Sequence, residues 1–345
     1  MPITIGRIKK VIKYCSTTLE RQILIPLKIK FSSTESAIIR EFVYDGSSHG
    51  FNSCVLFCHY NKHGLILDQV KELCLFFQLQ GIDVIFLTTK LSDESKHWVE
   101  KHLSALIIRR NIGRDFGAWK DGIAFLNKQS LFSSCSQLYL INDSVVLLGD
   151  NLKSTNFQSQ FIDDTKSDVI GLTESWQIAY HLQSYFLKFN KTVLESNLFL
   201  KYWHDYPMIN SRLLSIEKGE IGLSQLLLNS GYQLKSLYPI MDLVAKENIE
   251  SLLSIISLLG IPYETLKNLT ENMFNEFFEV SFKDMNPSHR LWPLLWVAGC
   301  PVLKRDLMQN NNENLLSMRF CIYIFTKCIN NSKAKEIFLQ SLSHL

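Results

Sequence analysis

Five short apolar runs, at 53–59, 82–87, 105–108, 137–141 and 168–172, alternate with segments of a different periodicity. Ser53-Cys-Val-Leu-Phe-Cys-His59 is bounded by polar residues and reads as a buried strand. Leu65, Val70, Leu73, Cys74 and Phe77 then recur at helical spacing, and Gly81 stops that helix before Ile82–Leu87. A helix over about 93–103, a strand at Ala105–Ile108, a helix over 115–128 and a strand at Gln137–Ile141 follow. Residues 150–162 are helical or irregular, and Asp168–Leu172 is a further strand. This alternation predicts βαβ crossovers, hence an α/β fold with a Rossmann-type, mainly parallel sheet.

The 345 residues suffice for about two domains. The α/β pattern occupies about 51–245; residues 1–50 form an N-terminal extension closed by the turn-forming Asp45–Gly50. From 246 to 345 the pattern is helical, at 247–259, 263–279, 290–298, 313–328 and 334–343. The extension sets Ile3, Ile5, Ile8, Val11 and Ile12 among Arg7, Lys9, Lys10 and Lys13, which fits either a membrane-surface helix or an ordinary surface helix.

Composition removes several function classes. With 46% hydrophobic and 20% charged residues, general disorder is excluded. Lys+Arg 36 against Asp+Glu 33 leaves a net charge of +3, without the dense basic face of a nucleic-acid binder. No apolar stretch reaches the ~20 residues that span a bilayer, and the N-terminus lacks a signal-peptide core. The expectation is a cytoplasmic protein that touches the inner face of the membrane at most through its extension. The eight cysteines are scattered, with no pair at zinc-site spacing around Cys54 and Cys58, so they are expected to be reduced core thiols.

In open α/β sheets ligands bind beyond the carboxyl ends of the strands. After the first strand, His59-Tyr60-Asn61 offers an aromatic and an amide suited to a nucleobase or ribose, or forms a plain polar loop. Between the third strand and its helix lies Arg109-Arg-Asn-Ile-Gly-Arg-Asp-Phe-Gly-Ala-Trp-Lys-Asp-Gly122. Glycine here permits close backbone approach, and helix N-terminal amides attract phosphate oxygens, with Arg114 or Lys120 adding charge-assisted bonds. Asp115 serves equally as a helix N-cap, and Trp119 suits the core. The segment is neither a P-loop nor a GxGxxG turn, which removes the fingerprint a nucleotide-dependent oxidoreductase needs. After the fourth strand, Asn142-Asp143-Ser144 presents a carboxylate between neutral oxygens, a donor set for Mg²⁺ or Mn²⁺ or else an Asx turn. Finally, Glu217–Gln225 reads as a loop entering a short helix that ends at Gly231. It places Glu220 in the first turn, where the helix amides stabilise a carboxylate, as a cap or as a base for an acceptor hydroxyl.

Taken in order, these segments resemble the rhamnan synthesis protein F family, glycosyltransferases of the GT-A type. The likeness runs through Arg110–Gly122, Leu140–Ser144, Gly171–Thr173, His181–Phe186, Glu220–Gly231, Asn286–His289, Leu291-Trp292, Gly299–Pro301 and Lys304-Arg305, over about 53–308. It implies a transferase of bacterial surface-polysaccharide assembly, typically using dTDP-L-rhamnose as donor and a lipid-linked or oligosaccharide acceptor. By this resemblance Asn142-Asp143-Ser144 holds the place of the Asp-x-Asp metal motif, with Asp143 meeting the metal. Ser144 stands where a second carboxylate is usual. Asn111 and Gly113 match the donor-side glycine loop, with His59, Tyr60, Arg114, Asp115 and Lys120 near the nucleotide. Glu220 takes the place of the base in inverting enzymes, and Trp176, His181 and Gln183 fall nearer the acceptor. His289 and Lys304 match a C-terminal motif whose role the sequence does not derive. The implied reaction is inverting, and the competing reading is a degenerate, non-catalytic scaffold or binding protein, which Ser144 favours.

Overall fold

A computed structural model describes residues 16–32, 35–44, 51–148, 151–258 and 286–308. The expected Asp45–Gly50 turn, residues 1–15 of the amphipathic segment, and the expected helices at 263–279, 313–328 and 334–343 lie outside them.

The strands are β1 (Ile38–Val43), β2 (Ser53–His59), β3 (Asp83–Thr88), β4 (Ala105–Arg109), β5 (Gln137–Asn142), β6 (Val145–Leu147), β7 (Val169–Ser175), β8 (His181–Leu182), β9 (Phe186–Asn190), β10 (Leu234–Tyr238) and β11 (Val302–Lys304). The main helices are α1 (Asp68–Leu79), α2 (Asp93–His102), α3 (Arg114–Lys128), α4 (Asn197–Asp205), α5 (Gly222–Asn229), α6 (Lys246–Leu258) and α7 (Trp292–Val297). One large sheet has the order β1-β4-β3-β2-β5-β9-β7-β10, with β8 paired to β7. β2 pairs in parallel with β3 and β5, β3 with β4, and β7 with β10, while β9 runs antiparallel between β5 and β7. The expected α/β architecture with a mainly parallel sheet is therefore the one observed.

The apolar runs are continuous because both faces of the sheet are covered. Along β2, Val55 and Phe57 enter one core with Phe77 of α1, whereas Cys54, Leu56 and Cys58 enter the other with Phe116 and Trp119 of α3. The five described cysteines, Cys54, Cys58, Cys74, Cys135 and Cys300, are buried free thiols. Trp119 is buried as expected and donates from Nε1 to the Leu56 carbonyl at 3.1 Å.

Two expectations need correction. The N-terminal extension is not separate from the sheet: β1 closes its edge antiparallel to β4. Its approach is fixed by the buried Asp121 carboxylate, which accepts from Ser36 Oγ (2.9 Å), Ala37 N (3.1 Å) and Arg109 Nε (2.7 Å). Nor is the segment after 246 a purely helical annex. β11 pairs antiparallel with β6, and Leu291, Trp292, Leu295, Val302 and Leu303 share the core of β2 and α1.

On β9, Lys188 is fully buried, its Nζ donating to the carbonyls of Phe161 (3.0 Å), Ile162 (2.8 Å) and Asp164 (2.6 Å). It terminates the helical turn Gln158–Ile162, where a cation suits the unpaired carbonyls. Burial lowers its pKa to about 8, against the pull of Asp164 and Asp163. An amine whose folded pKa lies below its unfolded one penalises the fold while charged, so stability rises with pH through that interval. Between pH 8 and 10.5 the wild type should gain up to about 3 kcal/mol relative to Lys188→Met in urea unfolding. A pH-independent difference would show that Lys188 does not titrate there.

Candidate active site

Two adjoining cavities open at the carboxyl ends of the parallel strands and share Arg114 and Asp115. The smaller, about 370 Å³, is walled by Cys58, His59, Tyr60, Thr88, Arg109 and Asn111. The larger, about 680 Å³, runs from Asn142 and Ser144 past His181, Gln183 and Glu220 to His289 and Lys304.

Asp115 stands where they meet, and Asp143 lies near enough for its charge to act on it. Asp115 Oδ2 accepts from Asn142 Nδ2 at 2.9 Å, and its Oδ1 from Cys58 Sγ at 3.6 Å. Asp143 Oδ2 accepts the Tyr60 amide at 3.1 Å, and the side chain is 15% exposed. Asn142 Oδ1 in turn accepts from Ser144 N (3.1 Å) and Ser144 Oγ (2.5 Å). Burial and the charge of Asp143 push the Asp115 carboxyl up, opposed by Arg114 and Lys304. Burial likewise raises Asp143, opposed by Arg305 and the Tyr60 amide. His59, buried, has its pKa lowered to about 4 by burial and by Arg305, and its Nε2 lies 4.0 Å from Asp143 Oδ2. Asn142 thus links Asp115, from a different strand end, to Ser144.

Among the described residues no group of three His, Cys, Asp or Glu side chains is arranged to hold a metal ion. Asp143 with Asp115 suits a hard divalent ion that completes its shell with water and phosphate, rather than a closed protein cage.

Glu220 lines the larger cavity but is not in a helix's first turn. The helical run begins after Ser211, whose Oγ caps Leu214 N, and passes through a π-helical stretch, Ser215–Ile221, into α5. Its carboxylate is held instead by β8–β9: Oε1 accepts from Ser184 N (3.0 Å) and Ser184 Oγ (2.6 Å). Such π-turns are frequent at functional sites.

Other expected residues divide. His181 and Gln183 are buried and line the larger cavity; Gln183 accepts from Thr173 Oγ1 at 2.7 Å and donates to Asn286 Oδ1 at 3.1 Å. Tyr60 is 54% exposed at the rim of the smaller cavity. Lys120 is not a phosphate ligand: its Nζ donates to the carbonyls of His204 and Tyr206, both at 2.7 Å, at the end of α4. Asp115 is not the N-cap of α3; Gly113 is, at φ +81, and its amide is taken by Asn210 Oδ1 at 2.7 Å rather than left for phosphate. Trp176 is 47% exposed, stacks edge-on to Tyr180, and does not line the cavity. Sequence reasoning missed Arg212, Ser184, Asn286, Arg305 and Asp306. Ser184, Asn286 and Arg305 stand inside segments already conspicuous in the sequence, whereas Arg212 has no local signal.

Residues 84–257 match the family described as rhamnan synthesis protein F. The chain belongs to this family. Among curated relatives, "Uncharacterized protein y4gN" of Sinorhizobium fredii is 31% identical over 190 residues, covering 51% of this chain and 48% of that protein. "Virulence protein VirA" of Vibrio anguillarum is 28% identical over 213 residues, 61% of this chain and 64% of that protein. The chain thus spans about half to two thirds of the length of these relatives. A solved mannosyltransferase, PcManGT of Pyrobaculum calidifontis in complex with GDP-Man and Mn²⁺, is 11% identical over 96% of this chain and 90% of that one, with a TM-score of 0.32. No helix among the described residues is long and apolar enough to cross a membrane.

The neighbour of Glu220 makes its placement testable. A Cβ on Gly219 would lie 2.6 Å from Phe116 Cε2, and that ring is wedged against Trp119, Trp203 and Tyr206. Gly219→Ala should cost about 1–3 kcal/mol in urea unfolding. An unchanged midpoint would mean that the π-turn shifts freely.

Proposed function

We propose that the chain is an inverting glycosyltransferase of GT-A type. In this reading it moves a sugar from a nucleoside-diphosphate donor, dTDP-L-rhamnose by family habit, to a lipid-linked or oligosaccharide acceptor of a growing surface polysaccharide. Family membership supports the transferase class. The observation that supports the mechanism is that Asp115 and Glu220 line one cavity together with Asn142 and Ser144, the two neighbours of Asp143.

The nucleoside fits the smaller cavity, with the Tyr60 ring at its rim and neutral His59 in its wall. The diphosphate then lies at the shared corner, where Arg114 stands. Asp143, with Asp115 beside it, would hold Mg²⁺ or Mn²⁺, and that ion would supply charge stabilisation to the departing diphosphate. The sugar extends into the larger cavity, where His181 and Gln183 border the acceptor. Ser184 holds Glu220 Oε1, so Oε2 is the oxygen left to take the acceptor hydroxyl's proton. The deprotonated oxygen attacks the anomeric carbon from the face opposite the diphosphate, which inverts the configuration. The transition state is oxocarbenium-like, and its leaving-group charge needs preorganised positive groups. The work is cytoplasmic in this reading, with membrane contact confined to the N-terminal extension. The competing reading, a non-catalytic scaffold, is favoured by Ser144; in the reading proposed here Asp115 would stand in for the carboxylate missing there.

Glu220→Gln should lower turnover of dTDP-rhamnose with a lipid-linked glycan primer by about 100- to 10,000-fold. Nucleotide affinity, read by calorimetry, should change little. Full activity in the variant removes Glu220 from the base role, and no nucleotide release with any dTDP- or UDP-sugar removes the transferase reading.

A further inference from the structure

Building on that reading, we propose that Lys304 and Arg305, at the end of β11, are ligands of the donor's diphosphate. The sequence gives this pair no role, and it lies more than 150 residues from the Asn142–Ser144 turn that it meets. β11 pairs antiparallel with β6, placing Lys304 opposite Val145, and the Arg305 amide donates to the Ser144 carbonyl at 2.7 Å. This seats the two cations against the turn that carries Asp143.

Lys304 and Arg305 offset the charges of Asp115 and Asp143, and each keeps a donor for a further anion. Lys304 lines the larger cavity with its Nζ 4.4 Å from the centre of the Tyr185 ring, a contact that orients an ammonium without consuming its N–H donors. Arg305 Nε is buried and has no hydrogen-bond partner among the described residues. A buried guanidinium donor left unpaired is costly, and an anion drawn into the corner would satisfy it. Across the corner, Arg114 is exposed and held at φ +53, a left-handed backbone that a non-glycine residue adopts only under constraint. Helix and strand thus put Arg114 and Lys304 in the wall of the larger cavity, with Arg305 behind them and near enough to Asp143 to lower its carboxyl. Nucleoside and sugar are joined by a diphosphate at the junction of the two cavities, carrying the charge that such a set recognises bidentately and tightly.

The test is calorimetric titration of dTDP, UDP and GDP, and of the matching nucleosides, into the full chain with EDTA and with Mn²⁺. For the best-bound diphosphate in EDTA, Lys304→Met and Arg305→Gln should each weaken binding by about tenfold or more. The nucleoside alone should be unaffected within about threefold, and Lys304→Arg should restore most of the loss. A merely structural role would lower the ligand-free melting temperature and weaken nucleoside and diphosphate equally, which overturns the proposal. So does a variant with wild-type diphosphate affinity, while the transferase reading then stands. Wild-type protein that binds none of the three diphosphates, with or without Mn²⁺, overturns both. If Arg305→Gln fails to fold, Lys304→Met decides alone.

Discussion

Two carboxylates share one partly buried corner, and much of the surrounding architecture answers that electrostatic demand. Asp115 is tied to the ends of β2 and β5 through Cys58 and Asn142, and the charge of Asp143 beside it raises its pKa. Like charges in a medium of low dielectric repel strongly, and burial strips them of water. The opposing pull comes from Arg114 and Lys304 on Asp115, and from Arg305 on Asp143. Two of these three cations arrive only because the chain returns after 286 to lay β11 against β6. The C-terminal return is therefore part of the site's electrostatics.

That constraint also explains the division of labour along the strand ends. β2, β4 and β5 deliver His59, Arg109 and Asn142 to one edge of the sheet, where a parallel arrangement concentrates its polar ends. The antiparallel β9 then turns the chain so that Ser184, just before it, meets the π-turn holding Glu220. Glu220 is fixed by a serine from the sheet side and by the Gly219–Phe116 approach from the helix side. In the proposed base role Glu220 would gain from such a rigid seat, since small misplacements cost rate steeply.

The sequence disclosed the sheet because its strands are buried on both faces, which leaves runs without polar interruptions. It singled out Asp115, Asn142 and Glu220, which the fold brings to one cavity, the first two because polar clusters right after such runs have few structural uses. It concealed β1, a solvent-facing edge strand containing Arg40 and Glu41, whose burial is only partial. Lys120 misled because a lysine beside glycines looks the same whether it serves phosphate or caps carbonyls; the distant chain end at His204 and Tyr206 decides. Gly113 misled likewise, as its amide is claimed by Asn210, remote in sequence. Arg305 declared itself only as part of a motif, since its meaning depends on pairing with Ser144.

The errors share a cause: each involves a partner far along the chain that competes for, or completes, a locally plausible group. This bears on the order in which the site is assembled. The β2–α1–β3–α2–β4–α3–β5 unit is joined by crossovers of modest length and contains the Asp115–Asn142 hydrogen bond within itself. The compensating cations of β11 must instead close a much longer loop, whose entropic cost precedes any contact that rewards it. On the proposed diphosphate contacts, docking of β11 and binding of an anion at the corner would be coupled, because an anion held by Lys304 and Arg305 stabilises only the state in which both are in place.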